Sequence, residues 1–153
     1  MPDTSRPVVV SPFQPADFAS WLPLWRGYQS FYRVDIPHDT TEETWRRMMD
    51  PHEPMWGALA RVDGRVVGMV HWIFHRSCWT VGNNTYLQDL FVDPEVRGGG
   101  VGRALIEHVY GEAHRAASPR VYWLTHETNA EAIRLYDRIA ERSGFIQYRK
   151  TNP

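Results

Sequence analysis

The stretch Asp89 to Val109, DLFVDPEVRGGGVGRALIEHV, decides how this chain of 153 residues folds. It opens as an apolar, partly β-branched run and crosses Asp93-Pro94 and three consecutive glycines, Gly98, Gly99 and Gly100. Apolar residues then recur at helical spacing: Val101, Leu105, Val109, Ala113 and Ala116, ended by Ser118-Pro119. A strand therefore gives way to a helix across bare backbone. The first turn of a helix leaves N–H groups without intrahelical partners, and the helix dipole adds partial positive charge there. Glycines permit positive φ and remove Cβ atoms, so an anion can approach those amides closely. Arg97 and Arg103 flank the turn. The pattern predicts a site for a phosphate-bearing ligand.

Two familiar phosphate loops do not fit. A Walker loop needs Gly-Lys-Ser/Thr, and the only lysine in the chain is Lys150. A dinucleotide fingerprint needs a glycine at its sixth position, where Gly98 leads to Arg103 and Gly100 leads to Leu105.

Outward from the loop, the elements alternate in an α/β pattern. Val8–Val10 reads as a short strand. Phe18, Leu22, Trp25, Tyr28 and Tyr32 form a helical stripe, with Pro23 expected to break or kink it. TTEETWRRMMD, from Thr40, begins a second helix with a Thr followed three residues on by Glu43, a capping-box pattern. MWGALARVDGRVVGMVHWIFH reads as a hairpin turning at Asp63-Gly64. TYLQDLFV is a strand, the glycine-led helix follows, and Val121–Thr125 is a strand. NAEAIRLYDRIAER is a helix stopped by Gly144, and FIQYR is a last strand. The fold class is α/β with a mixed sheet, antiparallel strands first and βαβα units after them, in one domain over residues 1–153.

Composition sets the outer bounds. Apolar residues make up 42% and charged residues 23%, which is ordinary for a soluble globular chain. No apolar run approaches the roughly 18 residues of a membrane span. The start, MPDTSRPVVVSPF, carries no secretory signature. Cys78 is alone, which excludes an internal disulfide and suits a reducing compartment, so the expected location is cytoplasmic. A net charge of -1 gives no reason to expect nucleic acid. Six acids between Asp35 and Glu53 read either as the solvated face of a helix or as a lure for a cationic substrate.

VRGGGVGRAL resembles the pyrophosphate loop of the GNAT superfamily of acetyl-CoA-dependent N-acetyltransferases, Arg/Gln-x-x-Gly-x-Gly/Ala, met here by Arg97, Gly100 and Gly102. ETNAEAIRLYDRIAERSGF is similar to the later motif of that family, through Asn129, Ala132, Leu135-Tyr136 and Gly144-Phe145. The element order matches the family across nearly the whole chain. YLQDLFV resembles the spermidine/spermine-type branch, and SGFIQYRK the small Hpa-type enzymes, which act on histones, polyamines or amino acids.

The resemblance implies acetyl-CoA as acetyl donor, no metal, and strands around 86–92 and 121–125 that splay to admit the pantetheine arm. It implies that main-chain groups of Leu90, Phe91 and Val92 hold that arm, with a backbone N–H at Leu90 facing the oxyanion. Amides of Gly98, Gly99, Gly100, Val101, Gly102 and Arg103, beside Arg97, hold the pyrophosphate. Asn129 and Tyr136 share one helix face two turns apart. Asn129 then binds the arm, and Tyr136 protonates the leaving thiolate. Phe31 and Tyr32 are expected at the acceptor, and a homodimer is implied, with FIQYRK as the pairing edge.

An amine is mostly ammonium at neutral pH and must lose a proton before it attacks. The polyamine branch has a glutamate at the position of Gln88. Glutamine accepts no proton at neutral pH, so Gln88 is left to position water or substrate. Asp89 should face the opposite side of the strand and reads as a buried, hydrogen-bonded carboxylate in preference to a base. Glu127 or His126, just past a parallel strand, is the expected proton acceptor. His71 and His75 lie about 13 Å apart along one strand and cannot share a metal, so they read as packing or pocket residues. Cys78 reads as a small buried hydrophobe. The leading expectation is acetylation of a small primary amine. A protein lysine or N-terminus as acceptor, and a non-catalytic acyl-CoA sensor, stay open beside it.

Overall fold

Asp63 and Gly64 both take positive φ, 50° and 77°, the two-residue turn whose twist matches the strands it joins. In this computed structural model, which describes residues 6–153, the turn joins β2 (Met55–Val62) to β3 (Arg65–His75). β1 (Val8–Pro12) pairs antiparallel with β2, and β4 (Asn84–Val92) antiparallel with β3. β5 (Val121–Tyr122) pairs parallel with β4, which completes a five-stranded sheet in the order β1-β2-β3-β4-β5. The mixed α/β sheet expected from sequence is therefore present. The first five residues, read above as free of a secretory signature, lie outside the described residues.

α1 (Phe18–Tyr32) and α2 (His38–Met49) cover one face of the sheet. Their indoles and methionines meet the sheet in a cluster of Phe13, Trp21, Leu24, Trp25, Met48, Leu59, Met69 and Phe91. Burying each large apolar side chain stabilises the fold by about 1.5–3 kcal/mol. α1 runs unbroken through Pro23, contrary to the expected break. Gly27 lets α1 approach closely, because a Cβ there would stand 2.8 Å from the Phe91 ring. α2 starts earlier than the capping-box reading. Its N-cap is Pro37, which makes no side-chain cap, and Thr40 lies inside the helix. Glu43 instead pairs with Arg46 and Arg47.

α3 (Val101–Arg115) covers the other face and buries Val101, Leu105, Ile106, Val109 and Ala113. Ala116, placed on the stripe by spacing, is exposed beyond the helix end. Among the described residues no helix is long and apolar enough to cross a membrane.

The contacts group into two compact units, one ending at Trp123 and the other Leu124–Pro153. The second unit holds α4 (Ala130–Ile139). It contains no strand: FIQYR, read as a last strand, is irregular, and Phe145, Ile146 and Tyr148 are exposed. The strand expected over Val121–Thr125 is likewise only Val121–Tyr122. Cys78 is exposed in the loop between β3 and β4, not buried.

Candidate active site

β4 ends at Val92, and Asp93 caps the turn that follows, its Oδ1 accepting from the Glu95 N–H at 3.0 Å. Gly98 (φ 87°) and Gly100 (φ 80°) then take the left-handed conformation that side chains disfavour. Gly100 is the N-cap of α3 and supplies no side chain to cap it. Its carbonyl accepts from Ala104 at 3.0 Å, which leaves the first-turn amides of Val101, Gly102 and Arg103 without intrahelical partners. A Cβ added at Gly98 or Gly100 would meet nothing within 4 Å. The buried Val101 side chain anchors the loop to the core. The result is an open cradle of backbone donors, suited to an anion. Arg103 pairs with Glu107 at 2.9 Å on the exposed surface. The Arg97 guanidinium lies over the Phe31 ring, 5.7 Å from its centroid.

The strand leading to the cradle parts from its parallel neighbour. Pairing between β4 and β5 covers only Thr85 with Val121 and Tyr86 with Tyr122. Beyond Tyr86, β4 continues to Val92 against β3 alone among the described elements. The Asp93 N–H donates to the Val67 carbonyl at 2.8 Å. By the alternation of an antiparallel ladder, Phe91 also turns its polar groups to β3, while Leu90 and Val92 turn theirs to the free edge. An extended ligand can pair there as an added strand.

Gln88 is the extra residue of a β-bulge: Leu87 pairs with Trp72 and Asp89 with His71, so Gln88 has no opposite. The bulge changes which face the strand presents. Thr85, bonded to Ser118, lies on the α3 side, while Asp89 and Phe91 lie on the α1 side. Gln88 itself is exposed.

On the α1 side a buried chain of hydrogen bonds starts at Trp21. Its indole Nε1–H donates to His71 Nε2 at 2.9 Å. An indole only donates, so His71 carries its proton on Nδ1, and that N–H donates to Asp89 Oδ2, also at 2.9 Å. His71 is thereby a neutral ring locked in one tautomer. The Tyr28 hydroxyl donates to Asp89 as well. Burial first, then the Asp89 charge and that hydrogen bond, push the Tyr28 phenol well above its ordinary pKa. Burial and then Asp89 also raise Tyr32 and Tyr86. Tyr86 stacks on Tyr122 at 5.0 Å, where the two strands part. The Tyr122 hydroxyl meets His75 Nε2 at 2.7 Å, and His75 Nδ1 donates to the Arg76 carbonyl. Among the described residues no cluster of metal-ligating groups occurs.

In the second unit Asn129 is the N-cap of α4, its amide reaching Thr125 Oγ1 at 3.5 Å. Tyr136 lies two turns on along the same half-buried face as Ala132 and Ile133. Glu127 is exposed, and His126 Nδ1 bonds Thr128 Oγ1 at 2.7 Å.

The first unit thus brings together the loop, the free edge of β4, Phe31 and Tyr32. Spacing missed Tyr28, Tyr86, Tyr122 and the partnership of His71 with Asp89. Tyr28 stood in the α1 stripe four residues before Tyr32, which was its one local signal.

Residues 21–140 match the sequence profile of the Acetyltransferase (GNAT) family. The D-amino-acid N-acetyltransferase HPA3 of Saccharomyces cerevisiae is 36% identical over 145 residues, covering 94% of this chain and 90% of the yeast protein. The thialysine N-epsilon-acetyltransferase of Mus musculus is 32% identical over 89 residues, 55% of this chain and 52% of that protein. In fold, the aminoglycoside N-acetyltransferase AAC(6')-Iy, solved in complex with CoA, superposes with a TM-score of 0.79 at 16% identity. That match covers 98% of this chain and 99% of that one.

Proposed function

The chain belongs to the GNAT family of N-acetyltransferases, and from that premise we propose that it moves the acetyl group of acetyl-CoA to a small primary amine. The observation that carries this reading is the strand that parts after Tyr86 and runs, with an unpaired edge, into a loop of left-handed glycines. That is a slot for an extended arm ending in a cradle for phosphate. A yeast relative named for D-amino acids and a mouse relative named for thialysine support a small amine as acceptor.

In this reading the amides from Gly98 to Arg103, with Arg97, hold the pyrophosphate, while the outward main-chain groups of Leu90 and Val92, with Asn129, hold the pantetheine arm; Phe91, expected among them, has its main-chain groups turned to β3. The amine nitrogen attacks the thioester carbon directly. A C–N bond forms, the C–S bond breaks, and the outward N–H of Leu90 stabilises the oxyanion between the two, a donor typically worth about 3 kcal/mol. Tyr136 returns a proton to the departing thiolate. Glu127 is the candidate acceptor of the amine proton, because Gln88 has no basic atom. Gln88, Phe31 and Tyr32 shape the acceptor side. The protein works as a cytoplasmic homodimer, whose partner copy covers the exposed Phe145, Ile146 and Tyr148. Light scattering at the mass of one chain removes the dimer.

The test is thiol release from acetyl-CoA with D-amino acids, lysine analogues, polyamines, aminoglycosides and a histone-tail peptide. Turnover confined to small amines supports the reading. Turnover with the peptide alone replaces the acceptor class, and CoA binding without any turnover overturns the enzyme.

A further inference from the structure

Asp89 is a buried carboxylate on the inner face of the sheet, with no Lys or Arg partner among the described residues. Its side chain keeps 11% of its surface exposed, and its only ion-pair contact among the described residues is His71. The Trp21 indole makes that imidazole neutral, as its bond to Nε2 forces the proton onto Nδ1. Two neutral donors, His71 and Tyr28, therefore serve a carboxylate that offers about four acceptor positions. A buried charge left in that state is unfavourable unless a counter-charge completes it.

The walls favour one kind of counter-charge. Tyr28, Tyr32 and Tyr86 all feel the Asp89 charge. Tyr28 and Tyr32 pack at 4.8 Å, Phe31 lies against Tyr32, and Tyr122 stacks on Tyr86. Aromatic faces around a carboxylate attract a compact organic cation, through the ring quadrupoles as well as the charge. Tyr32 and Phe31 are 41% and 49% exposed. The bulge at Gln88 is what turns Asp89 to this face, one residue before the outward-facing Leu90.

We propose that Asp89, hydrogen-bonded by His71 and Tyr28 beside the packed Tyr28–Tyr32 pair, is the recognition site for the ammonium group of the acceptor, and that it selects cationic amines over neutral or anionic molecules of the same shape. This rests on the proposed function only in taking the acceptor to be an amine. His71 and Trp21 are positioning residues, since they hold the carboxylate and touch no acceptor.

Trp21 provides the reporter, because its indole N–H is hydrogen-bonded into the same chain. The full-length protein, with no acetyl-CoA present, is titrated with butylammonium chloride while the Trp21 indole signal is followed by 1H–15N NMR. Butan-1-ol and sodium chloride at equal concentration serve as the uncharged isostere and the salt control. The expected result is a saturable shift with butylammonium and none with the two controls. Asp89→Asn, whose amide oxygen still accepts from His71, is expected to raise the butylammonium midpoint ten-fold or more with an otherwise unchanged spectrum. Equal response to butan-1-ol, no saturable shift, or an unaltered midpoint in Asp89→Asn overturns the site. The comparison of the two probes on the natural sequence stands even if the variant fails to fold. Cation binding without turnover defeats only the proposed enzyme, and turnover without cation binding defeats only this site.

Discussion

Replacing the loop glycines one at a time separates backbone strain from ligand contact. Gly98 and Gly100 have φ of 87° and 80°, and a Cβ at either meets no protein atom within 4 Å. Alanine there pays only for the left-handed conformation, about 1–2 kcal/mol. For a chain of this size that lowers Tm by roughly 2–8 °C. Gly99 has no positive φ, and its added Cβ would lie 3.5 Å from the Val96 carbonyl, an ordinary contact. Gly99→Ala is therefore expected to melt close to the natural protein. Binding should follow a different order from stability. If the amides receive a pyrophosphate, the new methyl at Gly100 stands where the anion approaches. Losing one charge-assisted hydrogen bond costs about 1.5–3 kcal/mol, or roughly 10- to 150-fold in Kd. Calorimetric titration with CoA beside thermal melts reads both quantities. Gly100→Ala binding CoA as the natural protein does would refute the anion cradle, and Gly99→Ala losing stability as much as its neighbours would refute left-handed strain as the cause.

Trp21→Phe keeps an aromatic ring but leaves His71 Nε2 buried without its donor. The expected loss is about 1–3 kcal/mol, a fall in Tm of roughly 2–12 °C, and an unchanged melt removes the chain from Trp21 to Asp89 as a stabilising element. Tyr136→Phe should lower kcat with little change in CoA affinity, and equal loss of both would assign the residue to binding or folding. Burial, the largest influence on His108, lowers its pKa from the ordinary 6.5. The unfolded chain then binds a proton more readily than the folded one, so stability is full above pH 6.5 and falls as pH drops toward the folded value. His108→Gln should flatten the stability profile in that window, and a profile that keeps its slope shows that other groups set it.

What was legible in the sequence was local. The Asp63-Gly64 turn, the α3 stripe and the glycine loop each follow from residue chemistry within a few positions, and all are present. The bulge at Gln88 was not legible, since pairing against β3 decides it and no residue type marks it. Strict alternation places Leu87 and Asp89 on one face, and the bulge puts them on opposite faces. The bond from Trp21 to His71 joins residues 50 apart in sequence, so no spacing rule reaches it. Strand signals failed where no edge met them. Trp123 to Thr125 have strand chemistry, yet β4 has already diverged at Tyr86. Phe145, Ile146 and Tyr148 alternate loosely like a strand but join no ladder among the described residues. Cys78 was misread because a free thiol is usually buried, whereas here it lies in a loop outside any element.

Direct transfer between acetyl-CoA and an amine is tested most plainly by rapid quench with enzyme in excess over acetyl-CoA. Free thiol is measured with and without the best amine of the panel, and the protein itself is weighed by mass spectrometry. The predicted result is thiol release only when the amine is present, one acetylated amine per thiol, and a protein mass that never increases by an acetyl group. Thiol released without the amine, together with an acetylated protein, would contradict attack in a ternary complex.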